Sequence, residues 1–142
     1  MSAEVANAVY ALNELLFLCT RDSGHTRIFI GKWLGQEVGP KAAQRYKQVF
    51  VNPANIEVEV DFSDPRANRF LRKLFLWQVR NFPNSMIFPV SRHGLPTALY
   101  VRGINHPEMI PVSPKIALQQ IEMANGFLNA LTAFVKDHNR QK

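Results

Sequence analysis

The chain has 142 residues, 46% apolar and 20% charged, which is enough for one globular domain over residues 1–142 and is close to the average composition of soluble proteins. Those proportions exclude a disordered tail or a collagen-like repeat, and no apolar run approaches the roughly 18 residues of a membrane span. Seventeen Lys and Arg against eleven Asp and Glu leave a formal charge of +6, and a single cysteine offers neither an internal disulfide nor a zinc site. Met1-Ser2-Ala3-Glu4 has no basic and apolar leader pattern. The expectation is a cytoplasmic protein without metal or other cofactor.

The predicted elements begin at Ser2, a helix cap. Val5, Val9, Leu12, Leu16 and Cys19 step by four and three, which predicts a first helix to about Arg21 with Cys19 on its buried seam. Thr26 predicts the cap of a short helix through Val38, within which Gly31 and Gly35 allow close packing. Gly39-Pro40 ends that helix and opens another to about Phe50. Pro53-Ala54-Asn55 reads as a turn. Ile56 to Phe62 then alternates apolar and acidic residues, the pattern of a half-buried strand.

Asp64-Pro65 predicts a helix to about Asn81. Met86–Ser91 and Thr97–Arg102 predict a hairpin about Arg92–Pro96, with Pro89 placing the first of its strands at an edge or bulge. Ser113-Pro114 opens the last helix. Ala117, Ile121, Ala124, Leu128, Leu131 and Val135 keep their phase across Asn125-Gly126, so one continuous helix is expected there. A second row, Ile116, Met123, Phe127 and Phe134, widens its apolar face. A helix of that length, roughly 36 Å, either packs on the first helix or forms a homodimer with a second copy. The expected order is α-α-α-β-α-β-β-α: an α+β domain with a small sheet packed by helices and its long terminal helices together.

The charge is localised. Arg66, Arg69, Arg72, Lys73, Arg80, Arg92 and Arg102 lie between Pro65 and Pro107, a stretch with no acidic residue, while the rest of the chain holds ten basic and eleven acidic residues. On a helical wheel Arg69, Lys73 and Arg80 fall within about 60° of Arg66, with Trp77 about 20° to its other side. Such a ridge neutralises phosphates, and an indole at its rim can stack on an unpaired base. Arg92 and His93 at the hairpin tip and Arg102 at its end extend the basic surface. The competing structural reading leaves Trp77 half-buried under arginine stems.

A weaker second site lies on the predicted helix after Gly39-Pro40, where Lys41, Gln44, Arg45 and Gln48 share a face. Helix, glycine turn and helix resemble a helix-turn-helix, but the positions that should be apolar are Arg45 and Gln48. No catalytic constellation emerges. His93 and His106 sit at opposite ends of a strand, and Glu57 and Glu59 have no third ligand at a telling spacing.

Leu12 to Leu34, with the Asp22-Ser23-Gly24-His25 turn, is similar to the start of small proteins carried by bacterial mobile elements. That resemblance implies a phage or mobile-element accessory protein and no particular chemistry. Two functions are therefore expected: a non-enzymatic nucleic-acid-binding protein, or an inhibitor or adaptor that meets an acidic protein or nucleoprotein surface.

Overall fold

A computed structural model describes residues 2–31, 35–92, 95–106 and 110–141, with the backbone alone at 92, 95 and 96. The first helix, α1 (Ala3–Asn13), is capped by Ser2, whose Oγ accepts from the Val5 amide at 3.3 Å. It stops well short of Arg21. The Asn13 side chain accepts from the Thr20 amide at 2.8 Å, so the chain turns back and β1 (Leu18–Gly24) begins. The helical spacing is thus interrupted by the turn that holds Leu16 and overridden by strand pairing at Cys19. Leu15 and Phe17 are buried, whereas Leu16 is 79% exposed and Cys19 is exposed opposite Glu59.

The region expected to hold two helices is mostly strand. β2 (Arg27–Ile30) and β3 (Gln36–Val38) replace the helix from Thr26 to Val38. The run Arg27-Ile28-Phe29-Ile30 is β-branched and aromatic, which suits a pleated surface. Gly31 takes φ +122°, and a Cβ on Gly35 would collide with the Gly31 carbonyl oxygen. The two glycines therefore meet at close range beside the paired ends of β2 and β3, and not in the packing of a helix. α2 (Pro40–Ala43) is a single turn, and β4 (Phe50–Asn52) follows. Val49 is drawn out of helix by a two-way backbone bridge to Val112, at 2.8 and 2.9 Å.

From there onward the expected elements appear. β5 (Asn55–Val60) buries Ile56, Val58 and Val60. Next come α3 (Pro65–Asn81), β6 (Met86–Arg92), β7 (Leu95–Arg102) and α4 (Pro114–Arg140), which runs unbroken through Asn125-Gly126. Ser113 caps α4 by accepting from the Ile116 amide at 3.2 Å. The class is α+β. The observed order, α-β-β-β-α-β-β-α-β-β-α, corrects the expected one in its first half.

Four strands form an antiparallel sheet in the order β1-β5-β7-β6, and three more form a second sheet, β3-β2-β4. Pro89 lies on the edge strand β6, beside a register shift at Val90/Ser91, where its missing N–H breaks no inner ladder. The larger core joins α1, the four-stranded sheet, α3 and the C-terminal half of α4 through residues such as Leu12, Ile56, Phe70, Phe127 and Leu131. A smaller one gathers Ile28, Ala43, Val49, Val51 and Ile104 against Ala117 and Ala124. α1 and α4 pack together, so the long C-terminal helix finds its partner within the chain. Among the described residues, no helix is long and apolar enough to cross a membrane.

Candidate anion-binding site

The cationic residues of α3 are positioned by the way the helix starts and by what lies under it. Asp64 caps the first turn, its Oδ1 accepting from the Arg66 amide at 2.9 Å, and Pro65 supplies the first helical residue. Ala67, Phe70, Leu71, Leu74 and Gln78 face inward and are buried. At the far end Gln78 Nε2 donates to the carbonyls of Phe82 (2.9 Å) and Ser85 (2.8 Å), holding the turn into β6. With that face fixed, Arg66, Arg69 and Lys73 are left on an adjacent exposed stripe at i, i+3 and i+7.

These three side chains line one pocket of ≈ 390 Å³ with Phe17, His138 and Gln141. α3 forms one wall, the last turn of α4 the other, and Phe17, only 4% exposed, the floor. Arg66 is committed to structure. Its Nε and Nη2 donate to the Asp64 carboxylate at 3.1 and 2.7 Å, and its guanidinium carbon lies 5.9 Å from the Phe17 ring centre. The side-chain hydrogen bonds from Arg66 hold the Asp64 carboxyl at about 2, and the same bonds raise Arg66 above its ordinary value.

Arg69 and Lys73 are exposed, and neither has a carboxylate within salt-bridge distance among the described residues. Among the described residues no Asp or Glu lines the pocket. Like charges one turn apart repel by a few tenths of a kcal/mol on a helix surface. An anion seated between them would relieve that repulsion while accepting their hydrogen bonds.

The other expected residues are placed differently. Trp77 is half-buried, its ring nearly parallel to Phe134 (4.9 Å, 28°) and Phe127 (6.0 Å, 27°) and tilted on Phe82 (5.4 Å). The indole thus forms part of the seam between α3 and α4. Arg72 and Arg80 are exposed but do not line the pocket, and Arg80 stands in the last turn of α3, where a cation complements the helix dipole. Arg102 Nη2 donates to the His106 carbonyl at 2.9 Å at the end of β7. His93 lies outside the described residues, and of Arg92 only the backbone, in β6, is described.

The second site does not form as expected. Of Lys41, Gln44, Arg45 and Gln48, only Lys41 lies within α2, and Gln44 caps it. Gln44 Nε2 reaches the carbonyls of Pro40 (3.3 Å) and Pro114 (3.4 Å), tying α2 to the start of α4. Arg45 and Gln48 lie beyond the helix, and the element before Gly39 is the strand β3. The strand pairing of this region removes the first helix a helix-turn-helix requires.

Phe17, His138 and Gln141 were not singled out by their sequence context. His138 could have been, because it sits three residues after Val135 and seven after Leu131, on the same inward seam of α4. Its ring meets Phe70 edge-on at 4.9 Å, which sets it beside α3. Among the described residues no cluster of His, Cys, Asp and Glu could hold a metal ion.

No family model matches the chain, and neither does any curated protein. Three solved structures are similar in outline. The PH1069 protein from Pyrococcus horikoshii shares 14% identity over 96% of this chain and 80% of its own, with a TM-score of 0.49. A hypothetical protein from Aeropyrum pernix shares 14% over 96% and 93%, at 0.45. A second structure of the PH1069 protein, from Pyrococcus horikoshii OT3, shares 17% over 96% and 79%, at 0.42.

Proposed function

We propose that this protein binds nucleic acid without catalysis, through the cationic stripe of α3. One observation carries the reading: among the described residues, Arg69 and Lys73 are exposed, have no carboxylate within salt-bridge distance, and converge with Arg66 on a pocket that no Asp or Glu lines. Cations held this way release counterions from a phosphate backbone, so affinity should fall with salt in proportion to the phosphates neutralised, by about 0.7 log units per decade of salt for each on a single strand. Three to four contacts from Arg69, Arg72, Lys73 and Arg80 would give a slope of roughly −2 to −3.

The test is fluorescence anisotropy with a labelled single strand and a labelled duplex over a salt series. The double variant Lys73→Glu, Arg80→Glu should abolish binding while its circular dichroism stays that of the parent and its melting temperature falls by no more than about 4 °C, the cost of reversing a charge at the end of α3. Undiminished binding by that variant would refute the proposal.

A different feature of the same helix favours the alternative, an adaptor or inhibitor of phage or mobile-element type. Leu76 and Val79 are 50% and 65% exposed on the outer side of α3, interleaved with Arg72 and Arg80. An apolar surface rimmed by arginines suits an acidic protein or nucleoprotein partner. On that alternative a stoichiometric complex survives nuclease treatment, and Leu76→Asp disrupts it without changing any residual affinity for oligonucleotides.

A further inference from the structure

We infer that the pocket between α3 and the end of α4 takes a phosphomonoester, the terminal phosphate of a nucleic-acid strand, in preference to the internal phosphodiesters along it. The inference rests on the nucleic-acid reading of α3 and adds the group that its pocket selects. Three of the four ridge cations, Arg66, Arg69 and Lys73, meet in one concavity, while Arg80 stands two turns beyond Lys73, about 10 Å along the helix axis. A surface that tracks a backbone spreads its cations along the path of the strand. Here Arg66, Arg69 and Lys73, although they themselves span about 10 Å of the helix, open on a single concavity bounded by α4, and Arg80 lies outside it.

The concavity has the size of a small-ligand site. Its ≈ 390 Å³ falls in the lower part of the range typical of such pockets, roughly 300–1,000 Å³. A phosphomonoester carries about −1.5 to −2 charges at neutral pH and three acceptor oxygens. A diester carries a single charge and has fewer free oxygens, because two are esterified. The donors fit the former: the Arg69 fork, whose charge already acts on Asp64 from a distance, and the Lys73 ammonium have no carboxylate within salt-bridge distance among the described residues, and Gln141 lines the opposite wall with a neutral side chain. Arg66, already neutralised by Asp64, contributes shape and the remaining field. The C-terminal end of α4 bears partial negative charge, so the anion must sit nearer α3 than α4.

Anisotropy measurements on one short single-stranded sequence, with and without a 5′-phosphate, test this directly. Inorganic phosphate, the matching mononucleotide and its nucleoside serve as competitors. The phosphorylated strand should bind about tenfold tighter or better, the effect of one added charge-assisted hydrogen bond. That preference should vanish in Arg69→Gln and in Lys73→Gln, and persist in Arg80→Gln, whose residue lies outside the pocket. The mononucleotide should compete and the nucleoside should not.

Equal affinity for the two strands overturns the inference and leaves the nucleic-acid reading of α3 standing. If neither strand binds but the mononucleotide protects the protein from thermal unfolding, the pocket is a phosphomonoester site for a small molecule. That result supports the selection of a monoester, overturns its assignment to a strand end, and refutes the nucleic-acid reading. If no phosphate compound binds, both fall.

Discussion

The two halves of α4 rest on unlike foundations. Its C-terminal half is set in an aromatic layer, where Phe127 and Phe134 meet Phe70, Trp77 and Phe82. Its N-terminal half lies on small side chains, Ala117 and Ala124, against Ile28, Ala43, Val49 and Val51. The hollows beside the two halves differ in the same sense. The cationic pocket borders the aromatic half. Among the described residues, a hollow of ≈ 240 Å³ beside the other half is lined by Asn84, Asn105, His106, Gln119 and Gln120 and by no Lys, Arg, Asp or Glu. Large rings fix the relative position of α3 and α4, and that fixed position is what brings Arg69, Lys73 and His138 around one space. The smaller core, made of short strands and one helical turn, borders a hollow of ≈ 340 Å³ in which Arg27 and Glu37 face each other at 3.9 Å, so the charges it gathers are of opposite sign.

If the aromatic layer dominates stability, truncations in the two cores must differ. Phe127→Ala should cost about 3–5 kcal/mol by urea unfolding, whereas Val51→Ala, which removes two methylene equivalents at about 0.8 kcal/mol each plus a small cavity, should cost about 2. Equal losses would break the contrast. A smaller effect is expected where the two cores meet. Gly103 donates its amide to the Ala54 carbonyl at 2.8 Å, and a Cβ on it would lie 2.8 Å from the Cβ of Ala124. Gly103→Ala should therefore push this segment from α4 at a cost of about 1–3 kcal/mol. A melting temperature equal to the parent's would show that the gap yields freely.

The smallest effect belongs to the wall of the pocket. Asp64 is held at about 2 by its bonds to Arg66, below its ordinary 3.8, so the folded state favours the ionised carboxylate. Its contribution to stability is complete above about pH 4 and is lost as pH falls through about 2. Asp64→Asn keeps a capping oxygen but removes the charge. The difference in melting temperature between parent and variant should be present at pH 6 and close at pH 2, and a difference that does not vary with pH would contradict the assignment.

What the sequence reveals about this molecule follows the strength of its local signals. α3 and α4 are readable because each begins with a cap residue followed by proline, Asp64-Pro65 and Ser113-Pro114, and their cap hydrogen bonds are present. β5 is readable because its alternation is strict. The first half misleads because its apolar spacing fits a helix as well as a strand. From Leu18 onward the choice is decided by pairing with β5, a partner some forty residues away. The same holds at Val49, where the deciding contact is Val112.

For the site, the charge excess and its helical face were legible, because spacing alone puts Arg66, Arg69 and Lys73 on one stripe. The opposite wall was not, because His138 and Gln141 arrive only through the packing of α4 on α3. Nor was the commitment of Trp77, whose neighbours Phe127 and Phe134 are fifty residues or more away in sequence.

The most direct test follows backbone amide shifts in a ¹⁵N-labelled sample during titration with a 5′-phosphorylated single strand. The largest changes should fall on Arg66, Arg69, Lys73, His138 and Gln141, leaving the carboxamide hollow at Asn84, Asn105 and Gln120 unmoved. Changes centred on Lys41–Gln48 instead, or spread evenly over the basic surface, would contradict an anion site built between α3 and α4.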